Sequence, residues 1–245
     1  MDDTTNVYNN CPTILTLLQR ARKVRQSIDD DDTCIQDSSK LRYPSSAYNM
    51  KVVEGSNKDK TVQRGFCNWL IPQAIMIGQY PGMTPESYGP TLKESQLHIQ
   101  NMITDSNISL FCCLQTEVPA QDDDITWNEN GGEIYLEPEY LRREFPRPFT
   151  RYAPIAESFA SNNQQQLTFI HNPIEDLDVP TNDDLLSLLS QLFYHLEDNG
   201  IIYLHCWGGR GRAGLVGACL ASLIFPEMSS IDILDIGYNA VMIQD

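Results

Sequence analysis

Positive charge is what this sequence has least of. It carries 17 Lys and Arg against 33 Asp and Glu, a formal net charge of −16 and a pI near 4.5. So acidic a chain repels nucleic-acid phosphates and anionic bilayers, and neither is expected as a partner. From Tyr152 to Asp245 there is no Lys, and the only Arg residues, Arg210 and Arg212, stand among twelve Asp or Glu. No apolar run is long enough to span a bilayer, and Met1-Asp2-Asp3 is unlike a secretory or transit leader. No stable membrane insertion and a cytoplasmic or nuclear location are therefore expected. The seven Cys are an odd number, without a CxxC pair or a Cys/His cluster of metal-ligand spacing. That pattern fits a reduced compartment, with no metal and no other cofactor expected. What remains is a globular composition, 41% hydrophobic and 9% aromatic over 245 residues, enough to bury a sizeable core.

The two isolated arginines fall in one stretch, His205-Cys206-Trp207-Gly208-Gly209-Arg210-Gly211-Arg212-Ala213-Gly214. Before it, Gly200 to Leu204 is short, apolar and β-branched, a buried strand. After it, Leu215 to Phe225 is rich in Leu, Ala and Val and closed by Pro226, a helix. A glycine-dense turn between strand and helix lets successive N–H groups face one concave space, where the helix N-terminus adds positive potential. Such a turn binds an oxyanion, most naturally a phosphate. Cys206 sits at its mouth, where amide dipoles favour a thiolate. Arg212, six positions on, can fold back and grip two phosphate oxygens.

This Cys, five residues, Arg, with His before the Cys, resembles the signature of the cysteine-dependent protein tyrosine and dual-specificity phosphatases. The fuller run HCWGGRGRAGLVGACLASLI is most similar to the cyclin-dependent-kinase-associated branch of that superfamily. The resemblance implies a phosphatase-like α/β fold and hydrolysis through a phosphocysteine. Cys206 would be the nucleophile, Arg212 the phosphate clamp, and the turn Trp207, Gly208, Gly209, Arg210 and Gly211 would bind substrate. Asp176, following Pro173-Ile174-Glu175 in a segment like the family's acid loop, would be the general acid, with Asp178 in reserve. His205 would orient the loop. Cys113 matches by position a strand Cys that pairs with the nucleophile in related phosphatases. Two departures stand out. The family usually has Ser or Thr after the Arg, where this chain has Ala213. Related chains also continue past this point with a loop that often holds a water-positioning Gln; Gln244 is not matched to it, which implies a truncated C-terminus.

Along the rest of the chain, residues 1–62 read as a polar, partly disordered, peripheral extension. Within it Ile14 to Ile28 has the spacing of an amphipathic helix carrying Arg20, Arg22, Lys23 and Arg25, followed by acidic Asp29 to Asp32. That is expected to be a solvated, self-neutralising surface, with partner docking as the alternative. Lys40 to Lys60 shows no period and reads as linker. The phosphatase domain is expected over 63–245. Asn68 to Pro72 and Ala74 to Gly78 read as a small hairpin. Thr91 to Thr104 reads as a helix with Leu92, Ile99, Met102 and Ile103 inward and Leu97 outward. Ile108 to Leu114 is a buried strand, with Glu117 in the loop after it. Residues 121–163 are irregular and expected to be an insertion, partly helical around Pro154 to Ala160. Arg142, Arg143, Arg147 and Arg151 there would pair with carboxylates or guide an anionic substrate. Leu167 to Ile170 is a strand leading to the acid loop His171 to Pro180. Thr181 opens a helix with its apolar face from Leu185 to Leu196. Ile231 to Val241 would be a last helix. Strands alternating with helices give α/β, with a mainly parallel central sheet flanked by helices and ligands at the carboxyl ends of its strands.

The expected partner is a phosphoprotein substrate. Two alternatives stand beside it. Arg210 adds a second cation to the loop, as a phosphoinositide or inositol phosphate phosphatase would need. Ala213 points instead to a catalytically weak phosphobinding module.

Overall fold

The computed structural model describes residues 14–30, 49–54, 61–65, 67–86, 89–137 and 146–233. In chain order the first elements are α1 (Ile14–Asp30), β1 (Asn49–Glu54), β2 (Thr61–Gly65), β3 (Cys67–Ile71) and β4 (Ile75–Gly78). Next come α2 (Leu92–Thr104), β5 (Leu110–Gln115), α3 (Asp124–Glu129), β6 (Glu133–Ile134) and β7 (Phe149–Thr150). The last are α4 (Ala153–Asn162), β8 (Thr168–Ile174), α5 (Asn182–Glu197), β9 (Ile202–His205) and α6 (Arg212–Ile224).

The centre is a five-stranded sheet in the order β3-β4-β9-β5-β8. β4, β9, β5 and β8 run parallel, and β3 joins antiparallel through the expected hairpin. This is the mainly parallel α/β architecture anticipated from the alternation of patterns. Side chains alternate across β5 and β9, so the two faces build two cores. Leu110, Cys112, Leu114, Ile202 and Leu204 face a core with α1, α5 and α6. Phe111, Cys113 and Tyr203 face the other, with α2 and α4. β9 lies in the middle of the sheet, so the turn after it emerges where both cores meet. Cys206 belongs to the first core and Trp207 to the second. Among the described residues no helix is long and apolar enough to cross a membrane.

Several expectations need correction. The segment 14–30 is not peripheral: Leu17, Ala21, Val24 and Ile28, spaced four, three and four apart, are buried against α5 and α6. The polarity of residues 1–62 as a whole masked that stripe. Its basic face also pairs beyond its own acidic run, of which Asp31 and Asp32 lie outside the described residues. Arg25 does reach Asp29 at 2.8 Å, but Arg20 and Lys23 reach Glu197 of α5 at 2.7 and 3.5 Å, and Arg25 also reaches Glu227 at 3.0 Å. Inside the expected linker lies β1, which pairs antiparallel with β2 just after it. The described parts of 121–163 are more ordered than an irregular insertion, and α4 covers the helix expected around Pro154 to Ala160. Trp127, Phe149 and Tyr152 are fully buried, and α4 packs on α2. Short elements separated by Gly and Pro hid the period. α4 has no side-chain cap of its own; Gln121 supplies it from a distance, its Oε1 accepting from Tyr152 N and Ala153 N, each at 3.1 Å. Arg151 donates to the Gln121 carbonyl at 2.9 Å and pairs with Asp124 at 2.6 Å, the carboxylate pairing expected of that arginine. Arg142, Arg143 and all but the first turn of the last expected helix lie outside the described residues, as does Gln244.

Helix starts follow their caps. Thr91 and Glu94 form a reciprocal capping box, and Thr181 accepts from Asp184 N at 3.2 Å. In α2, Ile99, Met102 and Ile103 are buried and Leu97 is exposed, as read from the pattern, but Leu92 is exposed too. Ser95 takes its place inward, donating to the Pro81 carbonyl at 2.7 Å.

Candidate active site

β9 ends at His205, and the glycine-dense turn runs from Cys206 to Gly211 before α6 begins. The helix starts at Arg212, three residues earlier than the apolar run suggested, because glycines and arginines at its start break the hydrophobic period. Gly209 has φ +75°, and a Cβ there would lie 2.4 Å from Gly78 C and 2.8 Å from Gln79 N. No other residue type fits that close approach to the end of β4. The contact is reinforced by Tyr80 N–H donating to the Trp207 carbonyl at 3.0 Å and by the Tyr203 hydroxyl donating to the Gln79 carbonyl at 2.6 Å. Trp207 points its ring away from the turn. Its Nε1 donates to Glu86 at 2.7 Å and its ring meets Phe149 edge-on at 5.1 Å. Its backbone amide is thus its part in any anion cradle. Gly208, Arg210 and Gly211 are exposed along the turn.

The turn gathers the three residues that the motif singled out for chemistry. Cys206 is buried, 3% exposed. It lies close enough to interact electrostatically with Arg212 and with Cys113, the residue that faces His205 across the β5–β9 pairing. Arg212 is only 5% exposed. Its Nη1 and Nη2 donate to the two oxygens of Glu117 at 2.9 and 3.0 Å, and Nη1 donates also to the Ile174 carbonyl at 3.1 Å. Burial pulls its pKa down, yet Glu117, Cys206 and Asp176 outweigh burial and leave it raised. Nη2 stands 3.5 Å from Asp176. The guanidinium is therefore fixed between the carboxyl ends of β5 and β8, with Nε and the Nη2 side toward Asp176 left for an incoming anion. Asp176 comes from the turn after β8, which runs on as strand through His171 to Ile174, further than the sequence suggested. Asp178 is exposed and accepts its neighbour Val179 N–H at 2.8 Å; no contact with Arg212 is made by it.

His205 is fully buried, and its Nε2 meets the Tyr152 hydroxyl at 2.8 Å. Burial drives its pKa down to about 3, with a small opposite pull from the Cys206 backbone and a further downward one from His171. It is a neutral ring below the turn, not a base. Glu117 and Tyr152 are the residues whose roles local reading did not reach. A carboxylate just past a buried strand was visible; its bidentate grip on Arg212, 95 positions away, was not. Tyr152 lay within an apparent insertion and gave no signal. Ala213 is buried at the second position of α6 and offers no hydroxyl. Among the described residues no group of three or more His, Cys, Asp or Glu gathers as a metal site.

Residues 153–226 match the family model described as Tc-R-P, polymorphic toxin system, DSP-PTPase phosphatase. That span runs from α4 to the end of α6 and contains Asp176, Cys206 and Arg212, but not Glu117. No curated protein matches the chain. Among solved structures it is similar to kinase associated phosphatase (KAP) with its catalytic-site cysteine replaced by serine. The identity is 15%, covering 71% of this chain and 82% of that one, with a TM-score of 0.46. PTPMT1 in complex with PI(5)P aligns at 11% identity over 71% and 82% of the chains, TM-score 0.45. Tk-PTP in its active form aligns at 15% over 71% and 84%, TM-score 0.44.

Proposed function

We propose that this chain is a cysteine-dependent phosphatase that hydrolyses phosphotyrosine, and phosphoserine or phosphothreonine, in proteins. The observation that carries this reading is convergence: Cys206 in a turn that only glycine can close, Arg212 locked by Glu117, and Asp176 3.5 Å from that guanidinium. The phosphoryl group would lie over the turn, its oxygens on the amides of Trp207, Gly208, Gly209, Arg210 and Gly211 and on the open edge of Arg212. Binding there competes with Asp176 for Nη2 and releases that carboxyl toward the leaving oxygen. The Cys206 thiolate forms the S–P bond as the P–O bond to the leaving group breaks, and Asp176 gives that oxygen its proton. Water then forms a new P–O bond, the S–P bond breaks, and Asp176 takes the proton from water. His205 stays neutral and supports the turn through Tyr152.

A second reading is favoured by Arg210, which is exposed and has no carboxylate partner among the described residues. It suits a substrate with a further phosphate, as in an inositol phosphate. The test is hydrolysis of p-nitrophenyl phosphate with and without vanadate, followed by a phosphotyrosyl peptide and an inositol polyphosphate at equal concentration. Vanadate-sensitive turnover with preference for the peptide is expected. Preference for the inositol phosphate moves the substrate class, and vanadate binding without turnover makes the chain a phosphobinding module.

A further inference from the structure

The turn that carries Asp176 holds one residue in a conformation its side chain disfavours. Leu177 has φ +64°, the left-handed region in which a Cβ crowds the backbone and which Gly, and less often Asn or Asp, adopts with ease. The turn closes simply, Asp178 N–H donating to the Glu175 carbonyl at 3.1 Å. A glycine would close it with less strain. Nor does the fold gain from the leucine, which is 98% exposed and part of neither core. Val179, two residues on, is 67% exposed. Single exposed apolar residues are ordinary on protein surfaces. A strained one, immediately beside the carboxylate that faces Arg212, is not explained by folding.

We propose that Leu177 determines substrate specificity by packing against an apolar side chain next to the phosphorylated residue of a polypeptide. The proposal rests on the phosphatase reading above. A phosphorylated side chain that reaches Cys206 brings its leaving oxygen to Asp176, and its flanking residue then passes over the next position of the turn. That position is Leu177, with Val179 extending the contact. An inositol polyphosphate has no apolar flank to offer. It would also set its extra phosphates against the exposed carboxylates of Glu175 and Asp178, which repel them. A peptide with an apolar neighbour and no acidic one meets both conditions.

Leu177→Gly separates this from a structural role, since it removes the side chain and relieves the strained φ together. Its Tm should be equal to or above the parent's. Two phosphotyrosyl peptides, one with Leu and one with Ser beside the phosphotyrosine, are compared with p-nitrophenyl phosphate in both proteins. In the parent, the ratio of kcat/KM for the Leu peptide to that for p-nitrophenyl phosphate should exceed the Ser-peptide ratio about ten-fold, the size expected for partly burying one leucine. In Leu177→Gly the Leu-peptide ratio should drop to the Ser-peptide value, mostly through KM. Ratios unchanged by Leu177→Gly, or a lowered Tm with equal loss on all three substrates, overturn the proposal. Failure of the parent to hydrolyse even p-nitrophenyl phosphate is a different result: it removes the phosphatase reading, and this inference with it.

Discussion

Arg212 shows how much a single side chain depends on its holders. Its guanidinium is 5% exposed, and Glu117 supplies both its countercharge and its orientation. Removing one partner of a buried pair leaves the other charge uncompensated, at a cost of roughly 3–5 kcal/mol. Glu117→Ala is therefore expected to lower the urea midpoint and to reduce kcat/KM on aryl phosphates by at least about 10-fold. Arg212→Lys should lose more activity than stability, because an ammonium cannot reproduce the planar fork. A Glu117→Ala protein as active and as stable as the parent would show the pair to be incidental. His205 gives a pH signature. Its folded pKa of about 3 lies below the ordinary 6.5, so below pH 6.5 the unfolded chain binds a proton that the folded one refuses. Stability should fall as pH drops from 6.5 toward 3, by about 1.4 kcal/mol per pH unit from this group. Urea midpoints of His205→Gln should fall less steeply than the parent's over that window. Cys113, raised to about 12 chiefly by burial, is not itself the oxidisable thiol. Mild peroxide is expected to oxidise Cys206 first and then link it reversibly to Cys113, as peptide mapping would detect; Cys206 oxidised with Cys113 still free would reject the link. At this scale Cys206, Arg212 and Asp176 could be put forward as candidates from sequence because each lies in a local motif. Glu117, Tyr152 and Glu86 could not, because their partners are brought together only by the sheet.

Elements read well where apolar periodicity and a cap agreed, as in α2 and α5, and poorly where charge or glycine diluted the period. α1 is the clearest case. Its four inward residues are separated by Arg, Lys and Gln, and the surrounding polar sequence outweighed them. With Leu17 1% exposed, Leu17→Ala should cost roughly 2–5 kcal/mol by leaving a cavity against α5 and α6. A shift of that size in urea denaturation is expected, with a single transition shared by α1 and the sheet. A separate early transition, with the sheet's stability unchanged, would mean that residues 14–30 are an appendage after all. The start of α6 carries the same lesson in reverse. Gly211 and Arg212 interrupt the apolar period, yet placing Arg212 in the first turn is what lets its side chain reach back to Glu117 and Ile174.

In the whole molecule, the two cores meet at the turn after β9. Cys206 is packed from one face and Trp207 from the other, so the conformation of the turn is set by both sides of the sheet. The α/β class followed from alternating patterns, while strand order did not, since nothing local says that β9 lies between β4 and β5. The acidic balance of the chain makes the same point electrostatically: a molecule of net charge −16 places Arg210 and Arg212 together at the one place proposed to hold an anion.

The measurement that bears most directly on this account is capture of the covalent intermediate. The protein is mixed with an aryl phosphate, quenched in acid within the first turnovers, digested, and searched for a phosphorylated peptide. Ala213 leaves the departing thiolate without a hydroxyl donor, worth roughly 1.5–3 kcal/mol when the acceptor is charged, so the intermediate should accumulate and precede steady turnover as a burst of released phenol. Phosphate bound to sulfur at Cys206, absent from Cys206→Ser and longer-lived in Ala213 than in Ala213→Ser protein, is the expected result. Turnover that continues in Cys206→Ser, or phosphate found on any other residue, would contradict the assignment of Cys206 as the nucleophile.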